Sequence, residues 1–373
     1  MTTQINVPLL PGSLKSPKLH AHNREILGLT EVFSPTEVRR KPISEGTPRT
    51  QLINERRDQR ALRVSVVLNI AITIVKVFAT IISGSLAVTA TLVDSVLDVL
   101  SQFILFYTDA AAKKQDSTRF PAGKTRLAPL GIFICAVLMG MASVEVIHES
   151  IIKLIARDES ETISMDAIVL GAMLFSFIAK LVLYIYCIGV SRVTGNDSVK
   201  AVALDHLNDV LSIVSATIAA LCSYYSPRLV WVDPVSAIAI SIYIMREWWE
   251  TAKEQTYMLV GHAARPEFLD EIRRVGNAHH PELKVDIIRA YHFGPKYLVE
   301  LEVVLPSTMT LETTHDIGME LQHMIEAFED VERAFVHIDY QTRDYDEHNQ
   351  DSWPPHYAQK VRETIGRATD SLV

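Results

Sequence analysis

The sequence predicts a membrane α-helical bundle of six transmembrane helices followed by a cytosolic α+β domain with the order αββαβ. Three observations carry that prediction. Six apolar runs, each near the roughly 20 residues a helix needs to cross hydrocarbon, lie between residues 62 and 245. Two of those runs hold aspartates four residues apart, Asp94 with Asp98 and Asp205 with Asp209. Beyond residue 257 the long runs give way to short helical and alternating patterns. The composition, 48% hydrophobic and 21% charged with mean hydropathy +0.16, suits a chain that is part membrane and part soluble. A net charge of −8 provides no basic surface, so nucleic acid is not an expected partner. Cys135, Cys187 and Cys222 all sit in apolar stretches and read as packing residues, not a disulfide framework.

Residues 1–58 are polar, with scattered Pro, Ser and Thr and no sustained periodicity, and read as a disordered N-terminal tail. They lack the layout of a signal peptide and are too acidic for a transit peptide. Ser13, Ser16 and Ser34 are ordinary for such a tail. The apolar runs follow at about 62–82, 86–107, 130–147, 165–190, 199–222 and 229–245, within a transport domain spanning 59–250. Ser83, Gly84 and Ser85 make a tight turn between the first two. The last run is short, and Trp231, Trp248 and Trp249 bracket it as interfacial anchors. Lys and Arg gather before the first run, in the connector from Lys113 to Arg126, at Arg192 and Lys200, and at Arg246 and Lys253. The alternate connectors have few, so the positive-inside rule puts both termini in the cytosol.

The soluble pattern occupies 257–345. PEFLDEIRRVGNAHH reads as a helix, KVDIIRAYHF and KYLVELEVVL as strands joined across Gly294 and Pro295, LETTHDIGMELQHMIEAFE as a helix and RAFVHIDY as a strand. Residues 346–373 turn polar and are expected to fray as a C-terminal tail.

The paired aspartates carry the chemistry. At about 100° per residue, partners four apart stand about 40° apart around a helix, so each pair projects from one face. Ala87, Ala90, Thr91 and Ser101 share the first pair's face; Ser198, Ala201 and Ser212 share the second's. Small residues there let helices approach closely. Carboxylates at bilayer depth are costly unless partnered, and they face a bundle interior or a wet cavity. Four acidic donors on facing helices need a cation to hold. The competing reading leaves the aspartates neutral or pairs them with Lys76 or Lys180, but two lysines cannot neutralise four carboxylates.

His206 and Asn208 flank the second pair, about 80° to either side of its centre, and read as second-layer residues, with direct ligation by His206 as the alternative. Asn69 in the first run either supplies an amide oxygen or bonds a neighbouring helix. The histidines of the soluble part form no HxxxH or HxH pair, and His337 with Asp339 is only a weak cytosolic site candidate. Carboxylate oxygens suit manganese, magnesium and calcium, whereas zinc sites recruit imidazole or thiolate. An intramembrane aspartyl protease also takes aspartates from two spans, but no Gly-x-Gly-Asp stands beside either pair. A cation channel, conducting without proton coupling, is the other alternative.

DSVLDVLSQ, FPAGKTRLAPLG, DHLNDV and WVDPVSAIAIS resemble the cation diffusion facilitator family, as do RAYHFGPKYLVELEVVLP, THDIGMELQ and ERAFVHIDY in the soluble part. The resemblance runs from about residue 55 to 345. It is greatest to the manganese-transporting subgroup of plants and fungi, in which both membrane motifs are DxxxD; zinc transporters of the family carry histidine at one or more of these positions. The resemblance implies six membrane helices, a metallochaperone-like cytosolic domain, a homodimer and no enzymatic activity or cofactor. It also implies divalent cation/proton antiport by alternating access, moving Mn2+ out of the cytosol through Asp94, Asp98, Asp205 and Asp209, with Zn2+ or Fe2+ as the alternative substrate. An acidic compartment such as Golgi, endosome or vacuole follows from the need for protons. The connector from Thr108 to Leu127 has no histidine, and Asp286 and Glu302 stand where some relatives place histidines, so no regulatory zinc cluster is expected.

Overall fold

Long unbroken apolar stretches, with capping residues confined to their ends, give six helices in sequence. The computed structural model describes residues 48–373 apart from 84–85, 115–117, 157–166, 227–228, 230, 344, 347–349 and 371–373. The helices are α1 (Pro48–Ser83), α2 (Leu86–Lys113), α3 (Leu127–Ala156), α4 (Ala167–Thr194), α5 (Asp197–Tyr225) and α6 (Val232–Val260). Among the described residues, four stretches are long and apolar enough to cross a membrane: Leu52–Phe78, Leu127–Ile155, Leu174–Thr194 and Asp197–Ala219. Exposed Val67, Phe78, Met141, Ile155, Val182 and Ile185 give the bundle the apolar exterior that lipid requires.

Two boundaries differ most from the sequence reading. α1 starts at Pro48, so residues 48–58 of the expected tail are helical, and the rest of that tail, with Ser13, Ser16 and Ser34, lies outside the described residues. The turn at Gly84 and Ser85 lies outside them too. α6 continues past residue 245 because EWWETAKEQTYMLV, although polar, is rich in good helix formers and ends only at Gly261, which takes the left-handed conformation (φ +78°). Trp231 and Trp249 are exposed, as interfacial anchors would be, whereas Trp248 is 3% exposed and packs inside.

The bundle pairs α1 with α2, α3 with α6 and α4 with α5, and α1 also packs on α4 and α2 on α5. Aliphatic and small residues from five of these helices form a dry layer that includes Leu62, Leu105, Cys135, Cys187, Val199 and Val202. Cys135 and Cys187 are buried free thiols, as expected of packing residues.

The soluble part has the expected order: α7 (Pro266–His279), β1 (Lys284–Phe293), β2 (Lys296–Val304), α8 (Leu311–Glu326) and β3 (Val331–Asp339). β1 and β2 form an antiparallel hairpin, and the α8 crossover brings β3 parallel to β2. Strict alternation buries Tyr297, Val299, Leu301 and Val303 of β2 against Phe268 and Ile272 of α7 and Leu321 and Ile325 of α8. The stretch expected to fray carries α9 (Pro355–Asp370), entered through Trp353, whose ring meets that of Tyr357 edge-on.

The two parts meet at one corner. The α2–α3 connector lies against the ends of the strands: Arg126 stacks over the Phe293 ring at 4.0 Å and Arg333 Nη2 donates to Pro121 O at 3.4 Å. Gly294 N donates to Met258 O of α6 at 3.2 Å. Gly294 has φ +71°, and a Cβ there would come within 3.1 Å of the Thr125 backbone. Gly294→Ala is therefore expected to cost about 1–2 kcal/mol and to free the connector. The check is a lower unfolding midpoint in detergent together with faster tryptic cleavage after Lys124 and Arg126.

Candidate cation site

α2 and α5 bring their polar faces together at the centre of the bundle. Asp98 (7% exposed), Asp205 (2%) and Asp209, which is partly buried, meet Lys180 of α4, itself 4% exposed. The Lys180 ammonium donates to Asp98 Oδ2 at 2.8 Å and also to Asp209 Oδ2. Asp205 accepts from Gln102 Nε2 of α2 at 3.2 Å through Oδ2, while its Oδ1 is buried without a partner. Three carboxylates thus stand against one ammonium in direct contact, and the charge of Lys76 also acts on Asp98 and Asp209. The pairing with Lys180 that the sequence reading discounted is therefore present, and it is partial.

The other sequence candidates divide. Asp94, one turn along α2 from Asp98, is exposed and apart from the cluster; the charges acting on it include Asp98, Lys76 and Glu149. Lys76 donates to Ser95 Oγ at 2.6 Å. His206 is fully buried, with Nε2 2.5 Å from Ser65 Oγ of α1 and Nδ1 without a partner. Its ring and the carboxylates of Asp205 and Asp209 offer three ligand atoms within 4.8 Å of one another. Asn69 is 2% exposed and its Nδ2 has no partner. Ser101, Ser198 and Ala201 are buried as their helical face requires, Asn208 is buried and Ser212 is exposed. The side chains of Ala87, Ala90 and Thr91 lie outside the described residues.

In the soluble part the weak candidates are engaged elsewhere. Asp339 is paired with Arg343 and accepts from Tyr340 N at 2.6 Å, and His337 is exposed opposite Glu302. Glu302 receives Arg289 Nη1 at 3.2 Å, and Arg289 also pairs with Asp346. Asp286 sits at the bulge of β1. Tyr291 Oη donates to Glu300 at 2.6 Å, a bond that, with partial burial, pushes the phenol up to about 12.

A second polar cluster, unforeseen in the sequence, closes the bundle end nearest the soluble domain. Asp58 of α1 and Asp109 of α2 are 5% and 2% exposed. Lys113 reaches both, at 3.4 and 2.9 Å, and Asn196 Nδ2 donates to both, at 3.0 and 2.9 Å. Gln59 donates to Asp109 at 2.7 Å, and Asn196 Oδ1 caps α5 at Val199 N. On each helix the dry layer stands between this cluster and the central one: Leu62 follows Asp58, Leu105 precedes Asp109, and Val199 and Val202 precede Asp205.

Residues 62–260 match the family described as the cation efflux transmembrane domain, and residues 264–341 match the cation efflux protein cytoplasmic domain. The chain is a member of the cation efflux family. It is 38% identical to metal tolerance protein 11 of Arabidopsis thaliana over 77% of this chain and 72% of that protein. It is 39% identical to metal tolerance protein 5 of Oryza sativa subsp. japonica, over 79% and 70% of the two chains. This cation efflux protein is thus a membrane transporter of divalent metal cations and not an enzyme, with a cytoplasmic domain at its C-terminal end. The protease reading falls with that membership.

Asn196 holds two buried carboxylates and one helix start at once. Asn196→Ala is expected to cost about 2–4 kcal/mol, measured as a lower unfolding midpoint of the solubilised protein. An unchanged midpoint would mean that water replaces the amide.

Proposed function

We propose that this cation efflux protein is a manganese/proton antiporter that moves Mn2+ out of the cytosol by alternating access. The observation that carries the reading is the central cluster of Asp98, Asp205 and Asp209, whose donors are carboxylate oxygens, buried at Asp98 and Asp205 and partly buried at Asp209, at the meeting of α2 and α5. Oxygen donors in excess of the one ammonium that bonds them suit a hard divalent cation. Asp94, exposed one turn away on the same face, is the fourth ligand in this reading and would meet the cation as α2 moves. Asn69 and His206 stand behind these ligands. Emptied carboxylates repel one another, and protons from the far side relieve that repulsion as metal leaves.

Six spans and cytosolic termini fit the alternation of Lys and Arg along the chain. The proton requirement favours an acidic internal compartment. The match of residues 264–341 to the family's dimerising cytoplasmic domain supports a homodimer, and the engagement of Asp339 by Arg343 supports pairing that needs no metal there. Zinc or iron is the second reading, favoured by the His206 ring close to Asp205 and Asp209.

In vesicles with an imposed pH gradient, Asp209→Ala and Asp94→Ala are each expected to lower manganese uptake by more than about a hundredfold. Full flux in Asp209→Ala would overturn the site, and full flux in Asp94→Ala alone would restrict it to the three clustered aspartates. Uptake independent of the pH gradient would point to a channel. Asp205→His replaces a hard oxygen with a borderline nitrogen, so the manganese-to-zinc uptake ratio is expected to fall; a constant ratio would place selectivity elsewhere.

A further inference from the structure

We propose that Lys180 is a tethered counter-ion that competes with the transported cation for Asp98 and Asp209, and so selects divalent over monovalent cations. The inference rests on the carboxylate site proposed above and adds to it a residue that touches the ligands without being one. Lys180 sits in the run FSFIAKLVLY of α4, with only 5% of its side chain exposed. An ammonium at that depth needs an anionic partner, and it has two, on two different helices.

The remaining donors face the same space unequally. Asp205 Oδ1 and His206 Nδ1 have no partner, whereas Asp98 and Asp209 each have an oxygen occupied by the ammonium. An arriving divalent cation thus finds an open oxygen at Asp205 and competes with the ammonium for the carboxylates of Asp98 and Asp209. Like charges at contact distance in a dry interior repel strongly, so the dication and the ammonium exclude each other.

Selectivity by valence follows from the tether. Lys180 is held at a high effective concentration beside the carboxylates, and a monovalent cation brings no more charge than the ammonium it must displace. A divalent cation brings twice as much. Release is also eased, because the returning ammonium stabilises the carboxylates as the metal leaves.

The test is Mn2+ binding to the full chain in nanodiscs by equilibrium dialysis, with wild type, Lys180→Met, Lys180→Gln, Lys180→Arg and Asp209→Ala. Removal of the charge in Lys180→Met is expected to lower the Kd for Mn2+ about tenfold or more. It should also make Mn2+ binding sensitive to potassium when compared with choline at equal ionic strength. Lys180→Gln, which keeps a donor toward Asp98, should behave likewise and serves if Lys180→Met does not fold. Lys180→Arg keeps the charge and should stay insensitive to potassium. A Kd unchanged or raised in the charge-removing variants, with Asp209→Ala still abolishing binding, overturns the inference and leaves the site standing. Binding intact in Asp209→Ala overturns the site itself.

Discussion

Three carboxylates gathered among helices, two of them buried and one partly so, are the constraint on which the membrane half depends. Left alone they would drive the bundle apart or draw water into it, so every neighbouring element is arranged around their charge. α4 contributes Lys180, α2 contributes Gln102 one turn beyond Asp98, and α1 contributes Ser65 to the adjacent His206. The carboxylates outnumber the one ammonium that bonds them, and in the reading proposed here that excess is what receives a cation.

The same device appears twice in the bundle. Asp58 and Asp109 are joined by Lys113 much as Asp98 and Asp209 are joined by Lys180, but the outer lysine is partly exposed and its carboxylates also hold Asn196. Fully buried aliphatic side chains separate the two clusters, so neither charge set is screened by the water that reaches the other. A polar cluster at the bundle end and another at the centre thus stand on either side of a dry layer.

Much of this was legible in the residues. The two DxxxD pairs stand out because spacing four and apolar surroundings rarely coincide by chance, and the αββαβ order follows from the change of period after residue 257. Lys180 was visible as a charge inside a span, but whether it neutralises, competes or faces lipid depends on how α4 is rotated against α2 and α5, and no local pattern encodes that rotation. Asp58, Asp109 and Asn196 fall at span ends, where polar residues are ordinary and carry no signal of their own. The overlong α6 and the helix at Pro355–Asp370 were missed because the reading followed hydropathy, whereas both segments are rich in good helix formers and α6 ends only at its Gly261 cap.

The corner contact between connector and sheet has a mechanical side. Gly294 and Phe293 at the end of β1, the start of β2 and Arg333 near the start of β3 all lie toward residues 121–126. A push along the connector therefore arrives at the ends of three strands together. Ladder bonds run crosswise to the strands, so such a load shears many of them at once and the sheet moves as a plate. Had the connector gripped an outer strand from the side, the same push would peel the ladder one bond at a time.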